Sequence, residues 1–88
     1  MRMDLKIINE KGLHARASAK FVETVEAYDA DASVTKDGMR VGGDSIMGLM
    51  MLAASKGSEI TVETSGNQAD ALGYAIKRLL EDYFGEGK

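Results

Sequence analysis

The chain has 88 residues, and its 14 acidic residues outnumber its 11 basic ones, which gives a formal net charge of −3. The absence of cysteine excludes disulfides and thiolate metal sites, and the acidic balance argues against nucleic acid as a main partner, because binding to a phosphate backbone depends on clustered lysine and arginine. No apolar run approaches the ~20 residues that cross a bilayer, so we expect a cytoplasmic protein without membrane insertion, folded as a single domain over residues 1–88.

The first two predicted elements differ in the spacing of their apolar residues. Met3, Leu5 and Ile7 alternate with charged residues, a period of two that is typical of a strand with one buried face. From Ala15 to Tyr28 the period lengthens to that of an amphipathic helix. The apolar face of this helix contains Phe21, Val22, Val25 and Tyr28.

A hairpin is predicted next. Residues 32–35 alternate between apolar and polar side chains, as a half-buried strand does. Asp37-Gly38 follows, a dipeptide favoured in two-residue hairpin turns because both central positions need positive φ. Residues 39–41 are therefore expected to form the returning strand.

The stretch "IMGLMMLAA" predicts a short helix. Asp44 or Ser45 can cap its first turn with a side-chain oxygen. Lys56-Gly57 is expected to end it, because glycine readily adopts the conformation that terminates helices.

A strand and a helix complete the chain. Ile60 and Val62 alternate with polar residues and predict a fourth strand. Gly66-Asn67 opens the last helix, for which Asn67 is the expected cap. The apolar side of this helix is predicted to contain Leu72, Ala75, Ile76, Leu79 and Tyr83.

The predicted order of elements is βαββαβα. It indicates an α+β sandwich with helices on one face of a mainly antiparallel sheet. No internal repeat, low-complexity tract or long linker divides the chain. The pattern leaves the strand order open, and a ferredoxin-like arrangement fits the same string.

The stretch "GLHARAS", residues 12–18, holds the only histidine of the chain. One histidine without cysteine excludes zinc clusters, Cys-His dyads and multi-histidine iron sites. The chain also lacks a P-loop and the glycine spacing of a nucleophile elbow, so we expect no metal and no cofactor. His14 lies where the first strand leads into the first helix.

The start of a helix is a favourable place for an anion. The first amides are unpaired and the helix dipole is positive there, and Arg16 adds a cation within reach of a phosphoryl group on the His14 ring. A phosphoryl-accepting site is therefore one interpretation. The other is that His14 only caps the helix and Arg16 is solvated, and the residue types by themselves favour this second interpretation.

Three separated stretches match a known family. "GLHAR" matches its active-site motif, "DSIMGLMMLAASKGSEITV" matches its regulatory serine, short helix and fourth strand, and "GNQADALGYAIKRLLEDYF" suits its last helix. Between Met3 and Tyr83 the chain thus resembles the histidine phosphocarrier proteins (HPr) of the phosphoenolpyruvate-dependent phosphotransferase system. Two specific motifs in the family's order and separation carry more weight than one short motif.

The resemblance implies an open-faced sandwich, in which four antiparallel strands lie in the order 1-4-2-3 and three helices cover one face. It also implies that His14 accepts a phosphoryl group at Nδ1 from phosphorylated enzyme I, which obtains it from phosphoenolpyruvate. His14 then passes the group to a IIA-type acceptor. The protein would be a stoichiometric carrier and not an enzyme, and a small carrier that exchanges partners is expected to be a monomer.

One position of the active-site motif departs from the family. The family usually has proline directly after the arginine, whereas this chain has Ala17, whose amide adds a donor in the first helical turn. The form "HARAS" is similar to the nitrogen-related branch of the family, so sugar uptake and nitrogen regulation both stay open. Lys20 lies one turn after Arg16 and is a candidate for the rim of the site. A solvated lysine with no role in the site is an equal alternative.

Ser45 aligns with a serine that a dedicated ATP-dependent kinase, HPr kinase/phosphorylase, modifies in many members of the family. In those members of the family, phosphorylation of the serine weakens exchange with enzyme I. A serine before a short helix is also a good N-cap with no regulatory role, and both interpretations stay open. A phosphate at Ser45 would gain from the helix N-terminus but would lie beside Asp44, so attraction and repulsion compete.

The short helix has too many large apolar residues for one buried face. Leu49 and Leu52 have the spacing that suits the core, which leaves Ile46, Met47 and Met50 as candidates for an adaptable docking patch. In the resembled family this helix lies beside the active histidine and docks partners. The alternative is a core that uses methionine as filler.

A rival function is a regulatory interaction module of the same fold that binds partners without transferring a phosphoryl group. Some relatives in the family lack the histidine and act in this way. The presence of His14 argues against this alternative.

Overall fold

A computed structural model describes all 88 residues, Met1–Lys88. The strands are β1 (Arg2–Lys6), β2 (Asp31–Lys36), β3 (Met39–Gly42) and β4 (Glu59–Ser65). The helices are α1 (Ala15–Glu26), α2 (Ile46–Met51) and α3 (Ala69–Glu81), and a short 3-10 turn, Tyr83–Gly85, follows α3. This order confirms the predicted succession βαββαβα. None of the helices combines the length and the apolar character needed to span a bilayer.

The four strands form one antiparallel sheet in the order β1-β4-β2-β3. The central strand β4 alternates strictly between exposed and less exposed residues, which confirms the period of two read from the sequence. In β4, Val62 lies opposite Met3 of β1 on one side and Val34 of β2 on the other. The observed order confirms the arrangement implied by the resemblance and eliminates the ferredoxin-like alternative.

The core lies between the sheet and the helices. The side chains of Val34, Val62, Phe21, Leu72 and Ile76 are all 0% exposed. Complete burial of an aliphatic or aromatic side chain of this size contributes about 1.5–3 kcal/mol to folding. The apolar faces predicted for the first and last helices are therefore the faces that hold α1 and α3 on the sheet.

Two local predictions in the first half of the chain have different outcomes. The first helix ends at Glu26, so Tyr28 lies beyond it and packs half-buried against the core from the following turn. The hairpin turn is confirmed, because Asp37 and Gly38 take φ values of 50° and 82°. Positive φ at both central residues matches the twist of the two flanking strands.

The second helix is shorter than predicted. It ends at Met51 and does not extend to Lys56-Gly57. Ala53 takes a φ of 50°, in the left-handed region, and this interrupts the right-handed helix. The chain then returns to the core, where Ala54 is 3% exposed.

Two predictions for the last helix are wrong. Asn67 does not cap α3, because its Nδ2 donates to Asp29 Oδ2 at 2.9 Å and the N-cap position is occupied by Gln68. Tyr83 is 37% exposed, while Phe84, 1% exposed, takes the place in the core. Both aromatic residues have positive φ, 56° and 53°, so the helical spacing no longer determines which side chain faces inward.

Candidate functional site

The loop that leads from β1 to α1 is held against the segment that follows α2. Leu13 is 5% exposed, and its N–H donates to the Ala54 carbonyl at 2.9 Å. Gly12 has a φ of 66°, and a Cβ there would lie 2.5 Å from the same carbonyl oxygen, so only glycine fits this approach. The "GL" of the motif thus positions the histidine that follows.

His14 occupies the N-cap position of α1, but its side chain makes no capping hydrogen bond. His14 is thus the N-cap of α1, as the capping interpretation predicted, but its side chain does not do the capping. Only its carbonyl serves the helix, accepting from the Ser18 N–H at 2.8 Å. The amides of residues 15–17 have no hydrogen-bond acceptor in the protein, as expected for a first turn, and they leave donors beside the imidazole.

The His14 ring is held by the far end of the chain. Its Nε2 pairs with Glu86 Oε2, and the other oxygen of this carboxylate, Oε1, accepts from Asn9 Nδ2 at 3.0 Å. The same Asn9 nitrogen donates to the Gly12 carbonyl at 2.8 Å. Nδ1 of His14 makes no hydrogen bond within the protein. Only one of the two ring nitrogens, Nε2, is therefore paired.

Sequence reasoning missed both Glu86 and Asn9. Glu86 is separated from His14 by 72 positions and follows a helix whose predicted pattern ends earlier. Asn9 lies outside every strand and helix, yet it is 0% exposed. No periodicity or short motif marks either residue, because their roles come from the docking of the C-terminal segment.

The contacts of Glu86 change its acidity. Burial by itself raises the pKa of the Glu86 carboxyl. The hydrogen bonds from Asn9 and His14, together with the charges of His14 and Lys11, outweigh burial and hold the pKa of Glu86 below its ordinary value of 4.5. The ionised form is therefore the form that these contacts stabilise.

Acid is expected to break the contact between Glu86 and His14. Since the pKa of Glu86 is lowered in the folded protein, its contacts stabilise the fold above the ordinary value of 4.5 and are lost as the pH falls through the lowered folded value. A carbon-detected NMR titration should give a midpoint for the Glu86 carboxyl below 4.5, with the His14 ring signals changing in the same step. A Glu86→Gln variant should lack this step, and a midpoint at or above 4.5 in the unmodified protein would contradict the lowered pKa.

Lys20 also serves the C-terminal segment. Its ammonium donates to the Phe84 carbonyl at 2.9 Å and thereby helps to hold the turn that precedes Glu86. Lys20 lines an open depression together with His14, and three other cationic side chains contribute to the same depression. These three are Lys11, Arg16 and Lys88. Arg16 is exposed and forms no ion pair, so its guanidinium is available to an anion in this depression.

Ala17 is a buried residue in the first turn of α1. The whole residue, backbone N–H included, is 0% exposed, and its methyl group belongs to the core. Its N–H is one of the three unpaired amides of the first turn, a donor that proline would lack. The structure therefore brings His14, Arg16 and Lys20 to one depression, whereas the predicted donor, the Ala17 amide, is buried and does not line it.

Ser45 lies on another element, at the start of α2. Its Oγ accepts from the Gly48 N–H at 3.0 Å, so Ser45 and not Asp44 is the cap of this helix. Ser45 is half-buried, and its side chain forms no hydrogen bond with His14 or its neighbours. The capping role predicted for Ser45 is confirmed.

Removal of the Ser45 cap should weaken the fold. We expect Ser45→Ala to lower the free energy of unfolding by about 1 kcal/mol, because the Gly48 N–H loses its acceptor in a helix too short to compensate. Asp44→Ala is the matched control, and since this exposed side chain makes no hydrogen bond, its effect should stay within about 0.5 kcal/mol. Urea unfolding measures both values, and equal losses in the two variants would contradict the capping role.

The short helix α2 exposes an apolar patch. Leu49 and Leu52, at 0% and 4% exposure, are in the core as predicted. The α2 patch comprises the exposed side chains Ile46 (40%), Met47 (71%), Met50 (41%) and Met51 (65%). Sequence reasoning did not include Met51, which is exposed because a helix of six residues has only one side toward the core.

Comparison with known proteins shows one family that matches nearly the whole chain. A sequence model described as the PTS HPr component phosphorylation site matches residues 1–82. The chain is 49% identical, over 89 residues, to the phosphocarrier protein HPr of Neisseria meningitidis serogroup A, and the match covers 100% of this chain and 99% of that protein. It is 41% identical, over 88 residues, to the phosphocarrier protein HPr of Cupriavidus necator, with coverage of 100% and 99%.

Solved structures show the same similarity. The crystal structure of HPr-C-His from Thermoanaerobacter tengcongensis matches with a TM-score of 0.93 and 35% sequence identity, over 98% of this chain and 97% of that one. The crystal structure of a phosphocarrier protein HPr from Bacillus anthracis matches with a TM-score of 0.87 and 35% identity, over 91% of this chain and 95% of that one.

Proposed function

Since this chain belongs to the HPr family of phosphocarrier proteins of the phosphotransferase system, we propose that His14 is the residue on which it carries the phosphoryl group. Membership of the family accounts for the carrier role. The choice of His14 is supported by its position and contacts, since it is the only histidine of the chain and lies beside unpaired amides.

The observation that carries the proposal is the pairing of His14 Nε2 with Glu86. An ionised carboxylate only accepts hydrogen bonds, so the proton of the neutral ring resides on Nε2 and the lone pair is on Nδ1. Nδ1 attacks the phosphorus atom of phosphorylated enzyme I. A bond forms between Nδ1 and phosphorus, while the bond from phosphorus to the enzyme I atom breaks and its electron pair stays with enzyme I.

The start of α1 stabilises the transferred group. The unpaired amides of Ala15 and Arg16, the positive end of the helix dipole and the unpaired Arg16 guanidinium are suited to the phosphoryl oxygens, whose negative charge is spread over three atoms. The amide of Ala17, where the family usually has proline, is also unpaired but is buried and does not line the His14 depression. Transfer onward to a IIA-type acceptor follows the same steps in reverse, with His14 as the leaving group.

Partners dock on the α2 patch in this proposal. Ile46, Met47 and Met50 are exposed and apolar, and methionine adapts to surfaces of different shape, which suits a carrier that meets enzyme I and a IIA-type acceptor in turn. Lys20 contributes at the rim of the His14 depression and holds the C-terminal turn there. We expect the carrier to act in the cytoplasm as a monomer with one domain over residues 1–88.

Ser45 is the regulatory site in the same proposal. Modification by HPr kinase/phosphorylase would place a phosphate on the oxygen that now caps α2, next to Asp44 and directly before Ile46 of the docking patch. The added negative charge at this edge of the patch opposes the docking of enzyme I.

The experiment is incubation with phosphoenolpyruvate and enzyme I, followed by intact mass measurement. We expect one added phosphoryl group, which disappears after brief treatment with acid because phosphohistidine is labile there. No adduct, or an adduct that survives acid, would overturn the assignment to His14. A chain that binds enzyme I but never acquires the adduct would instead be a regulatory interaction module.

A further inference from the structure

Asn9 is a buried polar residue, and its burial is not explained by apolar packing in the core. Its side chain is 0% exposed although it lies in the loop after β1. A buried amide is retained where its hydrogen bonds are needed, since removal of an amide from water is otherwise unfavourable. Its Oδ1 accepts no hydrogen bond from the protein, and both hydrogen bonds of the side chain are made by Nδ2.

The Nδ2 group joins two segments that are distant in sequence. One hydrogen bond goes to the Gly12 carbonyl at 2.8 Å, within the loop that presents His14. The other goes to Glu86 Oε1 at 3.0 Å, 77 positions away. Because the two oxygens of a carboxylate share one plane, a donor that holds Oε1 also determines where Oε2 points.

We propose that Asn9 is a positioning residue for His14: it holds Glu86 Oε1 so that Oε2 faces His14 Nε2 and keeps the ring in the tautomer with Nδ1 unprotonated. The inference rests on the proposed function, since only phosphoryl transfer requires that tautomer. Glu86 lies two residues from the end of the chain, and without Asn9 its carboxylate has no second hydrogen bond to orient it.

A merely structural role would act differently. If Asn9 served only the loop, its bond to the Gly12 carbonyl would matter and its bond to Glu86 would not. The two roles separate in a double-mutant cycle of Asn9→Ala and Glu86→Ala, because residues that act through one another have non-additive effects.

The experiment measures the His14 tautomer by ¹⁵N NMR in alkaline buffer, and the rate of phosphoryl uptake from phosphorylated enzyme I. We expect each single variant to lower the fraction of the tautomer with the proton on Nε2 toward that of free histidine. Each should also slow uptake about tenfold, by analogy with the lower end of the loss found when the partner that orients a metal-binding histidine is removed. The double variant should be no slower than either single variant.

Additive losses, or an unchanged tautomer in Asn9→Ala, would overturn the proposal. Glu10→Ala is the control, since this exposed neighbouring carboxylate does not hydrogen-bond His14 and should leave the tautomer unchanged; a change there equal to that in Asn9→Ala would also overturn it. If Asn9→Ala fails to fold, Asn9→Ser carries the same test. The tautomer needs no enzyme I, so a wild-type chain that takes up no phosphoryl group would refute the proposed function separately.

Discussion

The His14→Ala variant is expected to take up no phosphoryl group from phosphorylated enzyme I. The chain has no other histidine, and the remaining basic groups of the depression are lysines and arginine, whose protonated nitrogens carry no lone pair for attack on phosphorus. The loss should be complete within the detection limit of intact mass measurement. The fold should persist, because the ring makes no capping bond and the variant loses the net value of one hydrogen bond, about 1 kcal/mol.

Arg16→Ala is the matched control for this result. It removes a neighbouring cation and keeps the nucleophile, so an adduct should still form, only more slowly. An adduct of the same mass on His14→Ala would contradict the assignment. Treatment with acid would then identify the acceptor class, since a phosphoserine at Ser45 survives acid and a phosphohistidine does not.

The Phe84→Ala variant is expected to lower the free energy of unfolding by about 3 kcal/mol, the lower end of the range for truncation of a buried phenylalanine. Phe84 is 1% exposed and is the residue that inserts the C-terminal segment into the core. Its backbone carbonyl is also the acceptor for Lys20. Without the ring the segment should detach, and the contact between Glu86 and His14 should be lost with it.

Tyr83→Ala is the control, because Tyr83 is adjacent, aromatic and has nearly the same backbone conformation, but its side chain is 37% exposed. This variant should lower the free energy of unfolding by no more than about 1 kcal/mol, and the His14 ring signals should be unchanged. Urea unfolding and NMR of the His14 ring measure the two effects. Similar losses in the two variants would show that the segment is not anchored by Phe84.

The local elements could be predicted because the information for them is local. Alternation in β4 and the apolar face of α1 each report which side of an element is buried, whatever the element packs against. The turn at Asp37-Gly38 was predictable for the same reason, since its backbone conformation depends on two residues. His14 could be located by its uniqueness and by the motif around it, although the residue types alone favoured a capping role.

The wrong predictions concern residues whose contacts are decided by tertiary packing and not by the local sequence pattern. Asn67 has the right chemistry for a cap, but its amide hydrogen-bonds to Asp29 across the fold. At the end of α3 the positive φ values of Tyr83 and Phe84 exchange which aromatic ring is buried. A helical pattern continued past the end of its helix assigns the wrong residue to the core.

The sequence by itself determined the succession of elements, the single histidine proposed as the phosphoryl acceptor and the resemblance to a phosphocarrier family. The periodicity left the strand order open, the resemblance implied it and the tertiary structure confirmed it, while only the tertiary structure decided which nitrogen of His14 is occupied. The physical reason is the distance along the chain: periodicity and turn chemistry act over a few residues, whereas the contact of Glu86 with His14 spans 72 positions and forms only when the C-terminal segment docks on the core.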